Sequence, residues 1–171
     1  MGVNSLVHKV LTEVGIRPER FSLKWASAAE APRFVKLITE FTGQVKKLGP
    51  IGEAEGISPD ELKARLNTAL NLVTNRKVRV GFGNATKTIR KEGKFTQEQI
   101  NEVIGEKLGS TIAAGLIEEN LLAALTKTPA SLNSLVKQVG GETEQVEKLL
   151  GALSKQGKVE QQGDKWARAI A

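Results

Sequence analysis

The apolar positions of residues 1 to 50 predict two amphipathic helices with a short strand between them. The first helix has one apolar face, formed by Leu6, Val10, Leu11 and Val14. Phe21, Leu23 and Trp25 then alternate with polar residues, which is the period of a strand. The second helix has an apolar stripe, formed by Phe34, Leu37, Ile38, Phe41, Val45 and Leu48. Gly15 and Gly49 are the predicted ends of these helices.

The joint between the strand and the second helix has the residue spacing of a capping box. In such a box the Ser27 hydroxyl accepts from an early backbone N–H, and the Glu30 carboxylate reaches back to the cap. Pro32 would remove a backbone donor, so the helix is expected to begin a few residues later. We expect Ser27 and Glu30 to have a folding role and Trp25 to lie in the core. One strand alone cannot form a sheet, so its neighbours must come from elsewhere.

The middle of the chain has two further helix starts. Ser58, Pro59 and Glu61 open a helix, with an apolar face formed by Leu62, Leu66, Leu70 and Val73. Thr96 and Gln99 have capping-box spacing and open another, with an apolar face formed by Ile100, Val103, Ile104 and Leu108. Between them, Gly81, Lys87 and Thr88 approach the spacing of a phosphate-binding loop, but Thr86 stands where that motif needs glycine. We therefore predict a solvated basic turn there.

From Thr111 onward the pattern predicts helices that are separated by Pro129 and by Gly140-Gly141, followed by a hairpin that turns at Gly163. This order resembles the winged helix-turn-helix superfamily, a fold that serves both DNA recognition and protein contact. The predicted fold class is mainly α with little β (α+β). Its three predicted parts are a helix-strand-helix remnant of an α/β domain at 1–50, a helical linker segment at 51–110 and a winged helix at 111–171.

The net charge of +6 is concentrated in one stretch. Seven basic residues stand against Glu92 alone and form what we call the basic segment: Arg76, Lys77, Arg79, Lys87, Arg90, Lys91 and Lys94. A patch of this kind favours an acidic protein partner or a phosphate-bearing one. The sequence therefore predicts a partner-binding or phosphate-binding patch at these residues.

The composition excludes several kinds of chemistry. The chain has no Cys and one His, so thiolate metal sites, disulfides and cysteine nucleophiles are excluded. No convergent set of acid, base and nucleophile specifies an enzyme. No apolar run approaches the ~20 residues of a membrane span, and the start of the chain reads as an amphipathic helix without a targeting pattern. We expect a cytoplasmic protein that does not enter the membrane.

Residues 5 to 50 resemble the C-terminal portion of the methyl-viologen-reducing hydrogenase delta subunit family. The matching pieces are GIRPERF, KWASAAEAPRF and KKLGP. Members of that family are small iron–sulfur proteins that carry electrons between a hydrogenase and heterodisulfide reductase, and their cluster-binding cysteines lie upstream of the matched part. The resemblance implies the docking and structural half of such a protein, with the cluster-binding part missing and no cofactor held by this chain.

The predicted reading helix of the winged helix opens on Glu142, Glu144 and Glu147, whose charges repel the phosphates that a DNA-binding helix must approach. Protein docking or structural support is therefore favoured for this domain over DNA binding. If the winged helix instead binds DNA, five residues would face it. We call them the DNA-facing set: Thr143, Gln145, Lys148, Lys165 and Arg168.

Two hypotheses of function follow. The favoured one is a non-catalytic accessory or docking portion of a hydrogenase/heterodisulfide-reductase-type electron-transfer protein, whose partner is a heterodisulfide-reductase-like or hydrogenase subunit. The alternative is a DNA-binding winged-helix transcription regulator, with the basic segment as its phosphate anchor. The sequence leaves a homodimer open.

Overall fold

A computed structural model describes residues 2–169, with the side chain of Lys127 excepted. The helices and strands are α1 (Gly2–Glu13), α2 (Ala31–Leu48), α3 (Pro59–Thr74), α4 (Arg76–Glu92), α5 (Gln97–Lys127), β1 (Ala130–Ser131), α6 (Leu132–Val139), α7 (Thr143–Lys155), β2 (Val159–Gln162) and β3 (Lys165–Arg168). A short 3-10 helix, Pro18–Arg20, follows α1. The predicted class of mainly α with little β is confirmed.

The chain divides into two compact units, with the boundary after Ile112. In the first unit, α3 packs against both α1 and α4. Its buried side chains come from α1, α3, α4 and the first half of α5, and include Val10, Leu72, Val78, Ile104 and Leu108. Val14 and Ile16, which follow the end of α1, are also buried, so the core of this unit is almost entirely helical. The predicted division into residues 1–50, 51–110 and 111–171 stays a prediction.

Both predicted helix starts of the middle region are confirmed. The Ser58 hydroxyl accepts from the Glu61 N–H at 3.3 Å, and α3 begins at Pro59. Both halves of the second capping box are present, because Thr96 Oγ1 accepts from the Gln99 N–H and Gln99 Oε1 accepts from the Thr96 N–H. The apolar face predicted for α3 is wrong. Leu66 and Leu70 are exposed, and α3 buries Ala69 and Leu72, because contacts with α1 and α4 decide which side faces inward.

The predicted basic turn is also wrong, because residues 76–92 form the continuous helix α4. Asn75 caps it by accepting from the Lys77 N–H at 2.8 Å, and Gly93 ends it in the left-handed conformation. Its two internal glycines weaken the helix pattern in the sequence. A Cβ on Gly81 would stand 2.6 Å from Leu108 Cδ2, so the absent side chain lets α4 approach α5 closely.

The strand predicted at Phe21 to Trp25 is wrong as well. This stretch is extended but pairs with no strand in residues 2–169. The Leu23 N–H donates to Asn4 Oδ1 at 2.9 Å, and the Phe21 carbonyl lies 2.8 Å from His8 Nε2, so side chains of α1 hold the segment. Trp25 is 72% exposed, which contradicts the expectation that it lies in the core.

The second unit is built around the end of α5, helices α6 and α7, and a small antiparallel sheet in the order β1-β3-β2. Gln162 pairs with Lys165 across the turn at Gly163, which confirms the predicted hairpin. Leu135, Val146 and Leu150 are fully buried in its core, and Trp166 packs against that core half-buried. The helix boundaries predicted at Pro129 and Gly140 are confirmed.

Helix α5 bears on the expectation that no segment enters the membrane. Among the described residues it is the one helix, over Gln97–Thr126, that is long and apolar enough to cross a membrane by length and composition. Core helices of soluble proteins pass the same test, so the signal is weak. Leu108, Ile112 and Leu121 on this helix are fully buried in protein, while 22% of its most apolar stretch is buried as a whole.

Candidate docking surfaces

The stripe predicted on α2 exists as an exposed surface. Not one residue of α2 is buried, although the helix is strongly amphipathic. Phe34, Val35 and Ile38 are each at least half exposed. With Trp25 and the half-buried Leu37 and Phe41, Phe34 and Ile38 line a groove of about 270 Å³ beside the extended segment. We call these five groove residues, Trp25, Phe34, Leu37, Ile38 and Phe41, the apolar face.

The extended segment next to the apolar face has free backbone groups. No hydrogen bond within the described residues engages the backbone N–H groups of Ser22, Lys24, Trp25 and Ala26. Unpaired N–H groups in an extended stretch are a template for pairing with another strand. The segment and α2 thus offer hydrogen-bonding groups and an apolar wall side by side.

Arg20 holds the far end of α2 in place. Its Nε donates to Glu55 Oε1 at 2.7 Å, and its Nη1 and Nη2 donate to the carbonyls of Gly49 and Pro50. Both side chains of the pair are nearly inaccessible, at 8% for Arg20 and 4% for Glu55. A charge-assisted hydrogen bond from Arg20 and a backbone bond from Gly52 lower the pKa of Glu55 to about 2. The guanidinium therefore ties three chain segments around the C-terminal end of α2.

The near end of α2 begins with one half of the predicted capping box. Glu30 Oε2 accepts from the Ser27 N–H at 2.7 Å, but the helix starts only at Ala31, as the position of Pro32 led us to expect. The bond from the Ser27 backbone, together with the side chain of Arg33, lowers the pKa of the Glu30 carboxyl to about 2. Ser27 and Glu30 therefore take part in the turn that leads from the extended segment into α2.

Most of the basic segment lies on one helix. Arg76, Lys77, Arg79, Lys87, Arg90 and Lys91 are exposed on α4. The seventh member, Lys94, lies beyond the helix and pairs with Glu92 at 3.1 Å. The hydrogen bond and charge of Glu92 raise the pKa of Lys94. The structure thus brings six of the seven predicted residues together on one element.

The DNA-facing set is dispersed over α7 and β3. Gln145 and Lys148 line a groove of about 370 Å³ together with Glu142 and Glu144. Lys148 Nζ lies 2.7 Å from Glu144 Oε1, so its charge is already paired. Thr143 begins α7, two residues before Gln145, which places the two on different sides of the helix. Lys165 and Arg168 lie three positions apart on β3, so they belong to opposite faces of the strand.

The apolar face lies within the part of the chain that matches known proteins. Residues 3–49 match the family described as methyl-viologen-reducing hydrogenase, delta subunit. The chain is 51% identical over 45 residues to an F420-non-reducing hydrogenase iron-sulfur subunit of Archaeoglobus profundus, which covers 26% of this chain and 33% of that protein. No solved structure matches significantly.

Two further relatives match over a similar length of chain. A ferredoxin:CoB-CoM heterodisulfide reductase subunit of Methanosarcina mazei is 40% identical over 47 residues, which cover 28% of this chain and 6% of that protein. The F420-non-reducing hydrogenase vhu iron-sulfur subunit of Methanocaldococcus jannaschii is 45% identical over 42 residues, covering 25% of this chain and 31% of that protein. The chain therefore spans about a third of the hydrogenase subunits and a small part of the reductase subunit.

An iron–sulfur cluster, which the name of the hydrogenase subunit implies, does not fit this chain. Such clusters are held by cysteine thiolates, with His replacing some of them in one class. The chain has no cysteine and a single histidine, His8, whose Nε2 lies 2.8 Å from the Phe21 carbonyl. No step of electron transfer can be assigned to residues of this chain.

Sequence reasoning missed two features of the docking surfaces. Arg20 and Glu55 were not singled out, although Arg20 lies within the GIRPERF piece that carries the resemblance. The exposure of the apolar face was also missed, because an amphipathic pattern shows that one side of a helix is apolar without showing what covers it.

Proposed function

We propose that this chain is a non-catalytic docking portion of a hydrogenase/heterodisulfide-reductase-type electron-transfer assembly, and that the apolar face is where it docks. One observation carries the proposal: the apolar face lies entirely within the residues that match the delta-subunit family. Exposed apolar clusters with a polar rim mark interaction sites. The proposed partner is a cluster-bearing subunit, because the matched relatives are named as hydrogenase iron-sulfur subunits and as a heterodisulfide reductase subunit.

The chemistry of the surface indicates how such a partner binds. The free N–H groups of Ser22, Lys24 and Ala26 would pair with the edge strand of a sheet in the partner. Phe34 and Ile38 on α2 would then cover one face of that sheet, as helices do in layered α/β domains. Aromatic side chains such as Trp25 and Phe34 provide the kind of anchor that dominates binding energy in interfaces.

We also propose a winged helix for the second unit, with a docking or structural role. The order of α6, α7 and the β2–β3 hairpin, with β1 added to the sheet, supports this fold. The acidic lining of the α7 groove, from Glu142 and Glu144, supports a role in protein contact rather than DNA recognition. We expect the assembly to be cytoplasmic.

The test is affinity purification of the full chain from a nuclease-treated extract of the native host, with mass spectrometry of the bound proteins. Ile38→Asp places a charge on the apolar face, and Leu70→Asp is its matched control, since both residues are exposed leucine-sized side chains on helices. We expect heterodisulfide reductase or hydrogenase subunits with the wild type and with Leu70→Asp, and at least a tenfold loss with Ile38→Asp.

Two results would count against the proposal. Equal recovery of these subunits with both variants would mean that the apolar face is not the docking surface. A wild-type homodimer in sedimentation experiments that only Ile38→Asp dissociates would mean that a second copy covers the face, in place of a cluster-bearing partner.

A further inference from the structure

The exposed side of α4 is a line of unpaired positive charge. It carries six cations, which we call the basic stripe: Arg76, Lys77, Arg79, Lys87, Arg90 and Lys91. No ion pair within the described residues engages any of them, and the one carboxylate of the helix, Glu92, is paired with Lys94. The segment from Arg76 to Lys94 holds the whole net charge of +6, so the rest of the chain is neutral.

The cations of the stripe cover both flanks and the centre of the exposed side of α4. At about 100° per residue, Arg79 and Arg90 lie within roughly 20° of each other on one flank, and Lys77 and Lys91 lie within roughly 40° of each other on the opposite flank. Gly83 lies between the flanks, and a Cβ there would meet no atom within 4 Å. Its backbone is therefore open to close approach by a ligand.

We propose that α4 binds the phosphate backbone of double-stranded DNA, independently of sequence. An α-helix of about 10–12 Å diameter fits the major groove of DNA, about 12 Å wide, where cations on both flanks reach the phosphates on the two rims. Arginine and lysine at phosphates provide the main part of non-specific affinity through the release of counterions.

The chemistry of the stripe favours a duplex over other anionic partners. No aromatic ring lies among its cations, because Phe82 on α4 is half-buried beside Gly2 and the exposed Phe95 follows the end of the helix. Stacking of unpaired bases on aromatic rings is the usual device for single strands. Val80 is its one exposed large apolar side chain, whereas protein interfaces rely on aromatic and other buried anchors. A linear polyanion matches an array of cations that spans about four turns of helix.

The inference is independent of the proposed docking function, because it concerns a different element from the apolar face. The experiment measures binding of the full chain to a fluorescent 20-base-pair DNA duplex of arbitrary sequence between 50 and 200 mM salt. We expect the affinity to fall roughly 10²- to 10³-fold over that range, since about four to six phosphate contacts are formed.

Paired variants distinguish an effect of the basic stripe on binding from an effect of the total net charge. Lys87→Gln with Arg90→Gln removes two stripe cations and should reduce the slope of log affinity against log salt by about two. Lys63→Gln with Lys155→Gln removes the same charge from exposed positions elsewhere and should leave the slope unchanged. Gly83→Glu improves helix propensity and puts a carboxylate at the centre of the stripe, so it should cost at least tenfold in affinity without unfolding the chain.

Several results would overturn the proposal. The first is no duplex binding at 50 mM salt, and the second is an equal effect of the stripe pair and the control pair on the slope. A third is full affinity of the Gly83→Glu variant. If poly-L-glutamate of the same charge displaces the duplex as well as unlabelled duplex does, the stripe is a surface for acidic proteins and the nucleic-acid proposal is wrong.

Discussion

Helices α2 and α7 have similar hydrophobic patterns but differ in how much of their apolar side is buried. Both are amphipathic, but α7 buries Val146, Leu150 and Leu153 against its own unit, while no residue of the longer α2 is buried. In α7 the apolar side meets the end of α5, α6 and the sheet. In α2 the apolar side is only partly covered, and Phe34 and Ile38 are at least half exposed to solvent. A helix stripe therefore shows that a partner surface is needed, and it does not show whether that surface belongs to the same chain.

The largest effect is expected in the well-packed member of this comparison. Leu150 is fully buried, so Leu150→Ala should lower the free energy of unfolding of the second unit by about 3–5 kcal/mol. Urea unfolding followed through Trp166 fluorescence, with Trp25→Phe as the background, reports on this unit. A loss below about 1 kcal/mol would show that the core is loosely packed and would weaken the contrast with α2.

The next largest effect is expected at Arg20, which holds the C-terminal end of α2 although no residue of that helix is buried. Arg20→Met keeps the length of the side chain but removes its bonds to Glu55 and to the carbonyls of Gly49 and Pro50. We expect the first unit to lose about 2–3 kcal/mol of unfolding free energy. Thermal unfolding followed by circular dichroism measures the change, and an unchanged melting temperature would mean that another contact positions α2.

A smaller effect of the Arg20–Glu55 ion pair is expected on the unfolding free energy at acidic pH. The pKa of Glu55 is lowered to about 2 in the folded chain, from 4.5. Its contribution to stability is therefore fully present above pH 4.5 and is lost as the pH falls through 2. Glu55→Gln should flatten the dependence of unfolding free energy on pH in this window. If wild type and Glu55→Gln have the same acid dependence, the ion pair does not form in solution.

The smallest effect is expected on the apolar face. Phe34 is 56% exposed, so Phe34→Ser should change the unfolding free energy by no more than about 0.5 kcal/mol. The same change should reduce binding of a hydrophobic dye to the folded chain, because it removes a large aromatic side chain from the groove. A large loss of stability would mean that the face is already covered in solution, for example by a second copy.

The contrast between α2 and α7 also separates the parts of the fold that local sequence signals predict from the parts that they do not. The ends of α1, α2 and α6, the starts of α3 and α5, and the turn at Gly163 were predicted, because they depend on local signals such as a capping serine or a glycine with positive φ. Helix α4 was missed because Gly81 and Gly83 weaken the local signal. Tertiary contacts outweigh that weakness, since Val78, Ala85 and Ile89 are buried on its inner side.

The sequence by itself determined the helical class, the absence of cluster ligands, the concentration of charge at residues 76–94 and the resemblance of residues 5–50. Each of these depends on residue identity or on spacing over a few turns. Only the tertiary structure decided that the basic residues form a stripe on one helix, that Phe21 to Trp25 pairs with no strand among the described residues, and that Trp25 and α2 face outward. Those outcomes depend on which surfaces pack against each other in the fold. Hydrophobic periodicity identifies the apolar side of an element but does not show which surface covers it.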